Sequence, residues 1–270
     1  MSDAVCKICA VVFDLGETLV NFGKVSVTGL FRRGAKLSYE YLRNLRQPVG
    51  SFRSYYWRNM FAIRFRYVLA NITGNDFNSL ELLKKINGGK GVSLDGQQWE
   101  QLAWLWYEPL SKMARIEPDI LKTLSVLKGM GLNLAILSNT FIPASSLDRH
   151  LRQLGLLDFF SVRLYSYQFD YKKPDTRIFK AAADRVALPP QNILFVGDRI
   201  NKDIKPALAT GMHAVLKKAY TNIGRKIPEG AGVIEAITEL PALIEKLNAS
   251  QPANCAMSGP TDLCTKQDSV

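Results

Sequence analysis

Short apolar runs recur along the chain, and most are followed by a segment whose apolar residues return every three or four positions. The runs are residues 8–13, 132–137, 162–165, 193–196 and 214–216. Continuous apolar stretches of this length suit strands that are buried on both faces of a parallel sheet. The segments between them carry the helical period: in 119–130, Ile120, Leu121, Leu124 and Leu127 share a face, Pro118 opens the helix and Gly131 stops it. By the same signals, 145–154 ends at Gly155, 176–188 at Pro189 and Pro190, and 203–210 at Gly211. Strand and helix alternating in this way predict an α/β fold with a doubly wound parallel sheet.

More than a hundred residues separate the first run from the second, far more than one crossover helix needs, so 21–115 is expected to form an inserted subdomain. Its pattern is helical throughout. In 52–70, Phe52, Tyr56, Met60, Ile63 and Tyr67 follow one another at spacings of three and four, which predicts a core stripe with arginines on the other faces. A second apolar helix around 99–110 is expected to pack against it. The glycines of the loop 86–96 lack the order of a phosphate loop and follow no buried strand. The expected division is therefore 1–20 and 116–250 as the α/β core, 21–115 as the helical insertion, and 251–270, small and polar, as a flexible tail.

Charge changes this picture in one respect. The formal net charge is +11, and residues 21–75 hold ten Lys or Arg against one acid, Glu40. Such a field attracts anions: a phosphorylated metabolite, a nucleic acid or an acidic membrane surface. The alternative is a plainly solvated helix face. No apolar run approaches the ~20 residues that span a bilayer, and the N-terminus lacks the features of a cleaved leader, so a cytoplasmic location is expected. The four cysteines form no disulfide framework; Cys6 and Cys9 have C-x-x-C spacing but no second pair, and His150 and His213 are the only histidines.

Ligands of an open parallel sheet bind beyond the carboxyl ends of its strands. Asp14 follows the first run, Ser138, Asn139 and Thr140 the second, and Asp198 the fourth, with Asp203 five residues on; Lys173 stands eight residues beyond the third, in YKKPD. Two aspartates brought to one sheet edge repel unless a cation lies between them. Magnesium suits that place, because it takes oxygen ligands and leaves positions for water and a substrate phosphate. Taken singly, Asp14 could cap a turn, Ser138 and Asn139 a helix, and Asp203 the helix that follows it.

Together VVFDLGETL, AILSNT, YKKPDTRIF and ILFVGDRINKD resemble the four signature motifs of the haloacid dehalogenase-like hydrolase superfamily, over about 9–20 and 118–247. The helical insertion lies where that family carries a cap. The resemblance implies a phosphatase-type hydrolase with Asp14 as the nucleophile that forms an aspartyl phosphate. Ser138, Asn139 and Lys173 would bind the substrate phosphate. Mg2+ would be held by Asp14, the carbonyl of Gly16 and Asp198, with Asp203 supporting them from behind.

Gly16 departs from the family pattern. Most phosphatases of the family have a second aspartate there as general acid and base, a role worth about 10² to 10⁴ in rate. Three accounts stay open: a substrate with a good leaving group, such as an acyl or anomeric sugar phosphate; a proton from Glu17 or a cap residue; or a catalytically weak protein that binds an anionic partner. A dehalogenase-type reaction is a further alternative, opposed by the acid at Asp198. The expected partner is a small phosphorylated substrate rather than a nucleic acid, and Arg32, Arg33, Arg53 and Arg58 are candidates for its distal part. Periodicity leaves the substrate and the oligomeric state open.

Overall fold

The computed structural model describes residues 7–249. Cys6, Cys255, Cys264 and the tail expected at 251–270 lie outside the described residues. Six strands, β1 (Ala10–Phe13), β2 (Asn133–Ser138), β3 (Val162–Tyr165), β4 (Ile193–Gly197), β5 (His213–Lys217) and β6 (Ala231–Ile234), form one sheet in the order β3-β2-β1-β4-β5-β6. Every pairing is parallel. β1 is central, and the chain builds outward from it first through β2 and β3, then through β4 and β5. The β1–β4 boundary is thus the switch point at which the strand order reverses.

Alternation along the strands divides the core. Val11 and Phe13 face one side with Ile136 and Val196, beneath Leu124 and Leu127 of α5 (Ile120–Gly129), Leu147 and Leu151 of α6 (Ala144–Gln153) and Ile244 of α9 (Leu240–Ala249). Ala10 and Val12 face the other with Leu137 and Phe195, beneath Phe179 and Ala182 of α7 (Thr176–Val186) and Ala207 of α8 (Lys205–Ala209). Both faces of the sheet are covered, which is why the strands read as continuous apolar runs.

Between β1 and α5 the described chain forms four further helices: α1 (Val27–Asn44), α2 (Phe52–Thr73), α3 (Ser79–Gly88) and α4 (Gly96–Ser111). They enclose an apolar cluster of their own, with Leu42, Tyr55, Met60, Leu83, Leu102 and Trp106 at its centre. α1 and α4 cross closely enough that a Cβ on Gly34 would sit 2.5 Å from the carbonyl oxygen of Trp106. The expected stripe on α2 needs correction. Met60 and Ile63 are buried, with Tyr55 and Asn59 beside them, while Phe52 and Tyr56 are half-buried and Tyr67 is exposed. Because α2 is apolar on two faces, spacing alone could not tell which one the insertion covers.

Contacts in two regions help to tie the insertion to the elements that flank the sheet. In the first, the Asp76 carboxylate pairs with Lys172 at 2.8 Å and accepts from the Ser166 hydroxyl, while Phe77 stacks on Phe141 with centroids 5.2 Å apart. In the second, the Tyr107 hydroxyl of α4 meets His150 Nδ1 of α6 at 2.8 Å. Among the described residues, no helix is long and apolar enough to cross a membrane.

Candidate active site

Asp14 follows β1, and its amide donates to the carbonyl of Val196 on β4 at 2.8 Å, which fixes it beside the carboxyl end of the neighbouring strand. Asp198 follows β4 directly. Asp203 stands in a π-turn at Ile200–Ile204 that leads into α8, so it is not the helix cap that its position suggested. Its Oδ2 accepts from the Arg199 amide at 2.8 Å, and its Oδ1 lies 2.7 Å from Lys173 Nζ. Lys173 Nζ also lies 2.6 Å from Asp14 Oδ1. Gly197 makes this approach possible, since a Cβ there would be 2.5 Å from the Asp203 Cβ.

The three aspartates are buried, and each offers a carboxylate oxygen within 4.8 Å of the others. Burial drives the Asp14 carboxyl up to about 7; Lys173 opposes the rise, and the charges of Asp203 and Asp198 add to it. Burial also raises Asp198. For Lys173, burial alone would favour the neutral amine, but Asp14 and Asp203 outweigh it and hold the ammonium well above the ordinary lysine range.

Asp198 accepts from the Thr221 hydroxyl through Oδ2, while its Oδ1 is buried with no hydrogen-bond partner among the described residues. A buried carboxylate oxygen left without a donor is costly unless a cation meets it. A donor set of three carboxylates is hard, as Mg2+ requires. The site therefore fits the metal that the sequence implies.

Ser138 closes β2, beside the end of β1, and is buried. Asn139 follows Ser138 and turns its side chain to Lys173. Its Nδ2 donates to the Lys173 carbonyl at 2.7 Å and its Oδ1 accepts from the Lys173 amide at 2.9 Å, so it bolts down the lysine's main chain. Glu17 has φ 60 and accepts at Oε1 from the amides of Phe22 and Gly23 at 2.9 and 3.1 Å, so that oxygen is engaged in holding the loop after β1. Gly16 is not imposed by packing: a Cβ there would meet nothing within 4 Å.

Among the four candidate arginines, Arg32 and Arg33 line a groove on α1, Arg58 donates to Asn87 Oδ1 at 3.3 Å inside the insertion, and Arg53 is exposed at the start of α2. None has a described contact with the aspartate cluster. Thr221 and Asn222 escaped the sequence reading. The Asn222 amide group donates to the carbonyls of Asp198 and Lys217 at 2.8 and 2.9 Å, joining the β4 and β5 ends. They follow β5 at the same sheet edge.

A family model for haloacid dehalogenase-like hydrolases matches residues 8–211, and the chain belongs to that family. Among curated relatives, glyceraldehyde 3-phosphate phosphatase of Methanocaldococcus jannaschii is 35% identical over 113 residues, 41% of this chain. The chain spans about half of that relative, 49% of its length. The protein of the same name from Pyrococcus furiosus is 28% identical over 251 residues, 89% of this chain and 93% of the relative. Two solved structures share the fold. The HAD phosphatase of Thermococcus onnurineus superposes with a TM-score of 0.55 at 23% identity, over 88% of this chain and 98% of its own. The 2-haloacid dehalogenase of Pseudomonas syringae does so with 0.59 at 21%, over 89% and 99%.

Proposed function

We propose that the chain is a Mg2+-dependent phosphohydrolase acting on a small phosphorylated metabolite, with 21–115 as its cap over the core at 1–20 and 116–250. The observation that carries the reading is the orphaned Asp198 Oδ1 in the same cluster as Asp14, which Lys173 holds at 2.6 Å. The name of the curated relatives, glyceraldehyde 3-phosphate phosphatase, supports the substrate class.

Asp14, the Gly16 carbonyl and Asp198 would hold the metal, with Asp203 behind them. When bound, the metal screens the carboxylates and polarises the phosphoryl oxygens. An Asp14 carboxylate oxygen attacks phosphorus, the bond to the leaving oxygen breaks, and an aspartyl phosphate forms, which water then hydrolyses. Lys173 keeps Asp14 oriented and, with the Ser138 hydroxyl, offers donors to the phosphoryl oxygens as charge gathers there. Asn139 acts by fixing the Lys173 main chain. Asp203 is held on both oxygens and orients the ammonium.

Glycine at 16 brings no carboxyl for protonating a poor leaving group, and one Glu17 oxygen is committed to two amides. The reading therefore favours acyl or anomeric phosphates over alkyl esters. The test is Mg2+-dependent phosphate release from a panel of alkyl, aryl, anomeric and acyl phosphates, comparing the native chain with Asp14→Asn. Release confined to the better leaving groups and abolished by the substitution is the expected result. No release from any of them would sink the proposal in favour of an anion-binding protein built on the same fold.

A further inference from the structure

Helix α2 has two apolar faces. One is built into the insertion core through Tyr55, Met60 and Ile63. The other carries Trp57, Phe61, Phe65, Val68 and Ile72, whose spacings of four, four, three and four place them along one stripe. All five are exposed, Phe61 at 74% and Ile72 at 77%, and the Phe61 and Phe65 rings stack with centroids 6.4 Å apart. A contiguous apolar surface of this kind marks a site of interaction.

The charge around the stripe selects the partner. α2 contains Arg53, Arg58, Arg64 and Arg66 and no acid, and Arg53 and Arg64, exposed, follow its edge. A chain of rings, Tyr39 to Phe52 to Tyr56 to Trp57 at 5.4, 6.0 and 5.2 Å, joins the stripe to a groove of about 1000 Å³. There Arg32, Arg33, Lys36 and Arg43 stand against the single acid Glu40. A second copy docked on this face would set arginine against arginine with no acid on α2 to answer. Val68 and Ile72 offer nothing to a nucleic-acid backbone. A surface that is negative on top and hydrocarbon beneath answers both features.

We propose that α2 seats the protein on anionic membrane surfaces, its exposed stripe entering the headgroup boundary and the arginines of α1 and α2 meeting lipid phosphates and carboxylates. This inference does not depend on the catalytic reading. Trp57 is 58% exposed whereas Trp99, Trp104 and Trp106 are buried, so quenching of tryptophan fluorescence by acrylamide reports on the stripe. The experiment takes the full chain with phosphatidylcholine vesicles, with and without phosphatidylserine, and follows flotation and quenching.

Flotation and protection of Trp57 are expected only with phosphatidylserine, weakening as salt rises. Arg53→Gln with Arg64→Gln should lower vesicle affinity about 30-fold. Phe61→Ser with Phe65→Ser should abolish flotation while leaving thermal melting unchanged, since both rings are exposed. Failure to float on phosphatidylserine vesicles at low salt would overturn the proposal. So would protection of Trp57 without lipid that grows with protein concentration alongside dimer formation in sedimentation, which would assign the stripe to a second copy.

Discussion

Lys173 Nζ lies 2.6 Å from Asp14 Oδ1 and, on its other side, 2.7 Å from Asp203 Oδ1, and all three side chains are buried. One ammonium thus holds two carboxylates that would otherwise face each other out of water. Removing one partner of a buried ionic set costs about 3–5 kcal/mol because the remaining charge is left uncompensated. Lys173→Met should therefore lose stability of that order in urea denaturation with chelator present. Mg2+ should restore part of it, as a cation returns to the carboxylates. A loss of equal size with and without Mg2+ would count against a metal at Asp14 and Asp198.

Gly197 is demanded by this cluster. An added Cβ would lie 2.5 Å from Asp203 Cβ and 2.7 Å from its Cγ, and Asp203 is held in place by Lys173 and the Arg199 amide. Gly197→Ala should cost about 1–3 kcal/mol as an overpacked site. It should also weaken phosphate release by shifting Asp203 away from Lys173. Thermal melting and turnover measured on the same preparation check both, and an unperturbed variant would show that Asp203 can yield.

Gly16 is the opposite case, a glycine with open space over it. Gly16→Asp should fold normally and place a carboxyl where a leaving oxygen needs a proton. Turnover of alkyl phosphate esters is expected to rise by about 10², with little change for acyl phosphates. The comparison of kcat on the two substrate types is the check. Equal effects on both would mean that proton donation is not what residue 16 controls.

What the sequence made legible was whatever one strand or one helix determines by itself. Five apolar runs became strands because each is buried on both faces, and Asp14, Ser138 and Asp198 stand where those strands deliver them. β6 was missed. Its AGVI is short and holds Gly232, where a Cβ would press on Val215 Cγ2 at 3.2 Å, so packing against β5 replaced the apolar signal. The roles that depend on a partner from elsewhere were hidden as well. Asn139 is turned to the Lys173 main chain, Asp203 is presented by a π-turn instead of capping a helix, and Thr221 reaches Asp198 from beyond β5.

His150 offers a test of how the insertion is attached. It is 4% exposed, its Nδ1 meets the Tyr107 hydroxyl of α4 at 2.8 Å, and its Nε2 is buried. Burial lowers its pKa to about 4, against about 6.5 in an unfolded chain. Because the folded form resists the proton, the unfolded state binds more protons between these values, and stability rises with pH across that window. The contribution is complete above about pH 6.5 and is lost as the pH falls towards 4, by on the order of 2–3 kcal/mol. Other groups also titrate there, so the measurement is a difference: urea unfolding of the native chain and of His150→Gln at pH 7 and pH 4.5. The native chain should lose more stability than the variant on acidification, and loosening should begin at the α4–α6 contact. Parallel losses in the two proteins would show that His150 takes up its proton in the folded state without disturbing Tyr107.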